Sequence, residues 1–127
     1  DEITEEETTE DWSEDTSSIL ARSSNLNFGN AKIVKISSNE IAISGVTQCH
    51  KKCRKVYLSL FIERKVNGSY GTYKIWEFTA NNVTSLSKTI DVAVPSGTYY
   101  RVRGYHAASN AGVKESTSTL TSGIMVK

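Results

Sequence analysis

Four side chains of metal-binding and redox type stand out first: Cys49, His50, Cys53 and His106. Zinc takes such ligands, but it usually takes them as two compact pairs. Here Cys-x-x-x-Cys stands alone, with His50, Lys51 and Lys52 between the thiols, and His106 lies far along the chain. That spacing argues against a metal centre. It also lacks the Cys-x-x-Cys at a helix start that lowers a thiol pKa for redox work. The expectation is a disulfide between Cys49 and Cys53 that fixes a turn, since closing so short a loop removes little chain entropy. His106 falls on the inward phase of its segment and reads as a satisfied interior imidazole. No metal and no other cofactor is expected.

Hydrolysis would need paired carboxylates, or a nucleophile with a base. Beyond residue 15 the acids are Glu40, Glu63, Glu77, Asp91 and Glu115. Glu63 and Glu77 would meet across the Asn67-Gly68 turn, as solvent-facing partners for Arg64, Lys74 or Arg103. No catalytic residue is assigned, and a hydrolase ranks third among the readings. A more informative surface is the alternation Tyr99, Arg101, Arg103, Tyr105, because tyrosine and arginine on every second position of a strand stack and are enriched at binding sites. Tyr57 and Phe61 extend this stripe if their strand lies beside it. Lys51, Lys52, Arg54 and Lys55 form a second basic cluster, suited to phosphates or an anionic polymer.

Such a stripe has to be positioned by strands, and from residue 31 onward the chain has a period of two. Val56, Leu58, Leu60 and Ile62 alternate with Tyr57, Ser59, Phe61 and Glu63. Ile41 and Ile43 share a face, as do Trp76 and Phe78, and Ile90, Val92 and Val94. Asn67-Gly68-Ser69, Asn81-Asn82, Pro95-Ser96-Gly97 and Asn110-Ala111-Gly112 punctuate the run as turns or breaks. No stretch has a helical period with caps. Seven short strands predict an antiparallel β-sandwich. The first fifteen residues carry nine acids and no base, which leaves five acids against all fifteen bases in the rest, a surplus of ten. The expectation is a disordered acidic tail over 1–18 and one sandwich domain over 19–127, with Ile19, Leu20, Leu26 and Phe28 as edge contacts. The chain begins at Asp1 and has no apolar run long enough to span a bilayer, so an export signal is expected to have been removed.

Val94-Pro95-Ser96-Gly97-Thr98-Tyr99-Tyr100-Arg101-Val102-Arg103 resembles the E–F corner and F strand of fibronectin type III domains. The resemblance implies an immunoglobulin-like fold in which Tyr100 is buried and its hydroxyl bonds back to the loop. One departure is Gly45, which stands about where that family carries a core tryptophan; Trp76 is expected to fill the volume. A second resemblance runs from about Leu26 to Lys127 and rests on Lys55–Leu60, Tyr73–Asn82, Gly97–His106 and Glu115–Thr119. These segments are similar to small exported proteins of Gram-positive bacteria in a domain family of unknown function. That implies export and supplies no activity.

The reading is therefore an exported, monomeric, non-enzymatic module that binds an extracellular glycan, anionic polymer or protein through Tyr57, Phe61, Tyr99, Arg101, Arg103 and Tyr105. The runner-up is a secreted effector or inhibitor aimed at another protein. A nucleic-acid partner is not expected, since no recognised motif is present.

Overall fold

The computed structural model describes residues 2–18 and 23–127. It is all-β, with seven strands: β1 (Trp12–Ser17), β2 (Leu26–Ser37), β3 (Glu40–Val66), β4 (Ser69–Ala93), β5 (Thr98–Asn110), β6 (Val113–Leu120) and β7 (Ile124–Val126). Every named strand pairing is antiparallel. Hydrogen bonds link the strands into one sheet in the order β1-β2-β3-β5-β6, with β4 on the other side of β3 and β7 on β5.

The spine is the β3–β4 hairpin. Glu40–Gln48 lies between β2 and the second half of β4, whereas Lys55–Arg64 lies between β5 and the first half of β4. Between Gln48 and Cys53 the register shifts, and on the partner strand Asn82 takes a left-handed φ of 57°. A bulge of this kind bends a strand and can move its buried row to the other parity. Ile41, Ile43 and Thr47 face inward before it; Val56, Leu58, Leu60 and Ile62 face inward after it. The sheet thus folds over, so that β2 meets β5, β6 and β7, and β1 meets β6.

The core between the halves holds Leu26, Ile33, Ile41, Ile43, Val56, Leu58, Leu60, Ile62, Tyr100, Val102 and Ile124, all fully enclosed. Each such aliphatic side chain contributes about 1.5–3 kcal/mol on burial. The Tyr100 hydroxyl donates to the Pro95 carbonyl at 2.6 Å, the local corner that the fibronectin type III resemblance implied. The turn Asn67-Gly68 has φ values of 52° and 82°, as a two-residue hairpin loop on right-twisted strands requires.

Four expectations are corrected. The first concerns the tail: Trp12–Ser17 pairs with β2 from Trp12↔Val34 to Ser17↔Gly29, and its polar groups reach the far edge of the sheet. The Leu120 N–H donates to Asp15 Oδ2 at 2.9 Å, the Ser122 N–H donates to Ser13 Oγ at 2.9 Å, and the Ser17 and Thr117 hydroxyls meet at 2.8 Å. An acidic segment with little apolar content gains nothing alone; here the strand edges and a basic body supply its partners. The expected contacts of Ile19 and Leu20 lie outside the described residues, while Leu26 is in the core.

The second concerns the cysteines. Cys49 and Cys53 are free, buried thiols rather than a bridge. Residues 49–53 do not form a turn that needs closing. They form the bulge in β3, held by pairing of Cys49 with Leu26 and of Cys53 with Val83. The two sulfurs behave as small core side chains.

Third, Asn81-Asn82 kinks β4 without ending it. Finally, the space above Gly45 is taken by Leu60 and Leu58, whose methyl carbons would lie 2.7 and 3.1 Å from a Cβ there, so Trp76 is not its filler.

Candidate anion-binding face

The outward rows of β3 and β5 lie side by side. Phe61 is opposite Arg103, Ser59 opposite Tyr105, Tyr57 opposite Ala107 and Glu63 opposite Arg101. Ile75, Glu77 and Thr79 of β4 flank Phe61, Ser59 and Tyr57, and Leu120, Ser118 and Ser116 of β6 flank Arg103, Tyr105 and Ala107. The strand alternation thus brings the six stripe residues to one face.

The aromatic rings on it are not bare. The Arg103 guanidinium sits 4.0 Å from the Phe61 ring centroid. The ammonium groups of Lys114 and Lys55 lie 4.5 and 5.3 Å from the Tyr57 ring. What solvent meets is therefore largely cations seated on rings, which favours anions over an uncharged stacking partner. Lys55 and Lys114 are exposed, and among the described residues neither pairs with a carboxylate.

The opposite end is closed. Lys65 and Tyr70 face each other across the hairpin turn, and Glu7 sits between them. The Lys65 ammonium is 3.2 Å from Glu7 Oε1, with both side chains almost wholly enclosed. The Tyr70 hydroxyl donates to Glu7 Oε2 at 2.7 Å, and Thr4 donates to Glu7 through its N–H at 2.6 Å and its hydroxyl at 2.8 Å. Burial opposes the charge on Glu7. The bonds from Tyr70, Thr4 and Lys65 outweigh it and hold the carboxyl down to about 2. Burial and the bond to Glu7 push the Tyr70 phenol up.

Backbone bonds pin this strap, with the Thr8 N–H on the Gly123 carbonyl at 2.9 Å and the Gly123 N–H on the Glu6 carbonyl at 2.7 Å. Gly123 has to be a glycine because a Cβ there would run into the Tyr70 hydroxyl.

The strap corrects the expected stripe. Tyr99 does not stay wet: it is buried, with the Lys65 ammonium 5.5 Å from its ring. Arg101 lies against Tyr70 at 3.9 Å and is neutralised by Glu63 at 2.7 Å and Glu6 at 3.0 Å. Arg103 shares Glu63 at 3.1 Å but keeps 40% of its side chain exposed. Tyr105, Tyr57 and Phe61 remain half-exposed. The sequence reading missed Lys114, Lys65, Tyr70 and Glu7. The two-residue Asn67-Gly68 turn did signal that Lys65 and Tyr70 face each other, but nothing local linked Glu7 to them.

His106 and the thiols lie on the inner side. The His106 ring is fully buried, with Nδ1 3.2 Å from the Thr47 hydroxyl and Nε2 2.7 Å from that of Thr119. Burial lowers its pKa to about 4, against weaker opposing contributions from Val46 and Asp15. Burial, followed by the adjacent Cys53 thiol, pushes the Cys49 thiol up to about 12, which makes it a poor nucleophile. Among the described residues no cluster of three His, Cys, Asp or Glu side chains is placed to hold a metal ion. Among the described residues no helix is long and apolar enough to cross a membrane.

The chain belongs to a family of unknown function (DUF6147), whose model matches residues 3–124. The matched span includes the Glu7 strap and β1 as well as the long hairpin. No curated protein matches the chain.

Proposed function

We propose that this protein is an exported, non-enzymatic binding module whose open face takes an anionic glycan or a related polymer. The observation behind this reading is the register that seats Arg103 on Phe61 and two lysines on Tyr57, with Tyr105 between them. Rows on one face of a strand repeat about every 7 Å, so an extended polymer would meet successive cations along β3 and β5. A catalytic role is disfavoured because the His106 imidazole is enclosed, with both nitrogens engaged by threonine hydroxyls. The test is retention of the full chain on dextran sulfate and on plain dextran. Retention on the sulfated matrix should fall with rising salt and should be lost in Tyr57→Ala and in Arg103→Ala. Equal retention of these variants would overturn the reading.

One feature favours the alternative of a protein-directed effector. β4 runs for 25 residues and pairs only with β3 among the described strands, with Ile75 half-exposed upon it. An extended peptide could add to such an edge. In that case binding would survive Tyr57→Ala and fail when a proline replaces Thr79.

A further inference from the structure

Where the bulge of β3 faces the kink of β4, an open cavity of about 560 Å³ is lined by Arg54, Asn81, Asn82 and Asn110. It lies just beyond the outermost row of the open face, in which Lys55 is opposite both Asn81 and Ser109, and Ser109 is opposite Lys114.

Two features set its chemistry. Among the described residues no carboxylate lines it, and its one charged wall is a guanidinium. Asn110 is also oriented: its Oδ1 accepts the Arg54 backbone N–H at 3.3 Å, so its amide nitrogen is left as the group available to a guest. Arg54 and Asn110 thus present donors to one space, Asn81 and Asn82 line it with amides that can donate, and Lys55 and Lys114 add positive potential from the next row. A planar carboxylate meets donors well from one direction. A tetrahedral group offers oxygens to several strands at once and suits this open space, walled from three strands, better.

We infer that this cavity is a subsite for a tetrahedral oxyanion, phosphate or sulfate, carried by the ligand of the open face. The inference rests on the anionic-polymer reading above and adds the group that such a polymer carries. One substituent sits between Arg54 and Asn110, and the polymer continues past Lys55 and Lys114 towards Arg103.

The experiment uses the full chain and inorganic phosphate, followed by NMR through the side-chain N–H signals of Arg54, Asn81, Asn82 and Asn110. Phosphate and sulfate should shift these signals saturably, and chloride at equal ionic strength should not. Asn110→Asp keeps the acceptor for the Arg54 N–H but replaces the donor with a negative charge, and it should weaken phosphate at least tenfold. Arg54→Gln should do the same. Both positions are at the surface, so the variants should fold, as the amide spectrum will show.

Non-saturating shifts spread over Lys51 and Lys52, or unchanged affinity in Asn110→Asp, would overturn the subsite. If phosphate fails while dextran sulfate is still retained through Arg103, the subsite falls and the face reading stands. If phosphate binds the cavity but Tyr57→Ala leaves polymer retention untouched, the subsite stands and the face reading falls. Polyphosphate and dextran sulfate, compared at equal charge density, identify which oxyanion the site prefers.

Discussion

At one end of the β3–β5 face, Lys65 lies beneath Tyr70 and Tyr99 with Glu7 against its ammonium at 3.2 Å. At the other, Lys55 and Lys114 flank Tyr57 in the open, with Arg54 and three asparagines beyond them. Both ends set lysine ammonium groups against tyrosine rings. They differ in whether a carboxylate from the N-terminal segment reaches them. Where it does, the cations are neutralised, dehydrated and part of the structure. Where it does not, they remain hydrated charges able to exchange water for a ligand. Residue type alone therefore does not make a binding face; the chain's own acids decide which cations stay available.

The largest expected effect breaks the closed end. Lys65→Met leaves the Glu7 carboxylate buried without its cation, and removing one partner of a buried pair costs about 3–5 kcal/mol. Urea unfolding should show that loss, while Lys55→Met at the open end should change stability by no more than about 0.5 kcal/mol. Similar effects at the two sites would erase the distinction between the ends.

Acid should separate the ends next. His106 lies beneath the open half, opposite Leu58, and its pKa falls from 6.5 to about 4 on folding. Between those values the unfolded chain binds more protons than the folded one. The stability is therefore whole above pH 6.5 and lost as the pH falls to 4, by about 3 kcal/mol from the linkage relation. Glu7 has its carboxyl lowered from 4.5 to about 2, so its contribution is present above pH 4.5 and fades only below it. Amide exchange should accelerate around Leu58 and His106 at a higher pH than around Thr8 and Gly123. In His106→Gln the upper step should disappear and the lower one remain.

A smaller loss is expected from Gly123→Ala, which drives a methyl into the Tyr70 hydroxyl and loosens the strap. Overpacking of this sort costs about 1–3 kcal/mol. It should also increase exchange at the Thr8 amide, and unchanged protection there would show that the strap is not held by that contact. The smallest stability change belongs to the double variant Lys55→Met and Lys114→Met. It should unfold within about 0.5 kcal/mol of the parent yet lose retention on dextran sulfate, the reverse of Lys65→Met.

Much of this architecture follows from local alternation. The inward row Val56, Leu58, Leu60, Ile62 and the outward row Tyr57, Phe61 are fixed by side-chain period, and Asn67-Gly68 sets the register that puts Lys65 opposite Tyr70. The Val94–Arg103 segment likewise implied that Tyr100 is buried and bonded back to its corner. Local order could not reveal that Gln48 to Cys53 is a bulge inside one bent strand, nor that Asn82 kinks β4 without ending it. Both depend on partners more than twenty residues away, such as Leu26 for Cys49 and Val83 for Cys53, which keep the strand paired through the irregularity. The acidic N-terminus was the largest miss. Read alone, its charges repel one another and its few apolar groups cannot offset the entropy of ordering. Glu7 finds Lys65 and Tyr70 only once the hairpin and β7 have placed an ammonium, a hydroxyl and the Gly123 backbone in one spot. Alternation is a property of neighbouring residues and survives in the sequence. The pairing of a distant acid with a distant base is a property of the closed sheet, and only the tertiary structure decides it.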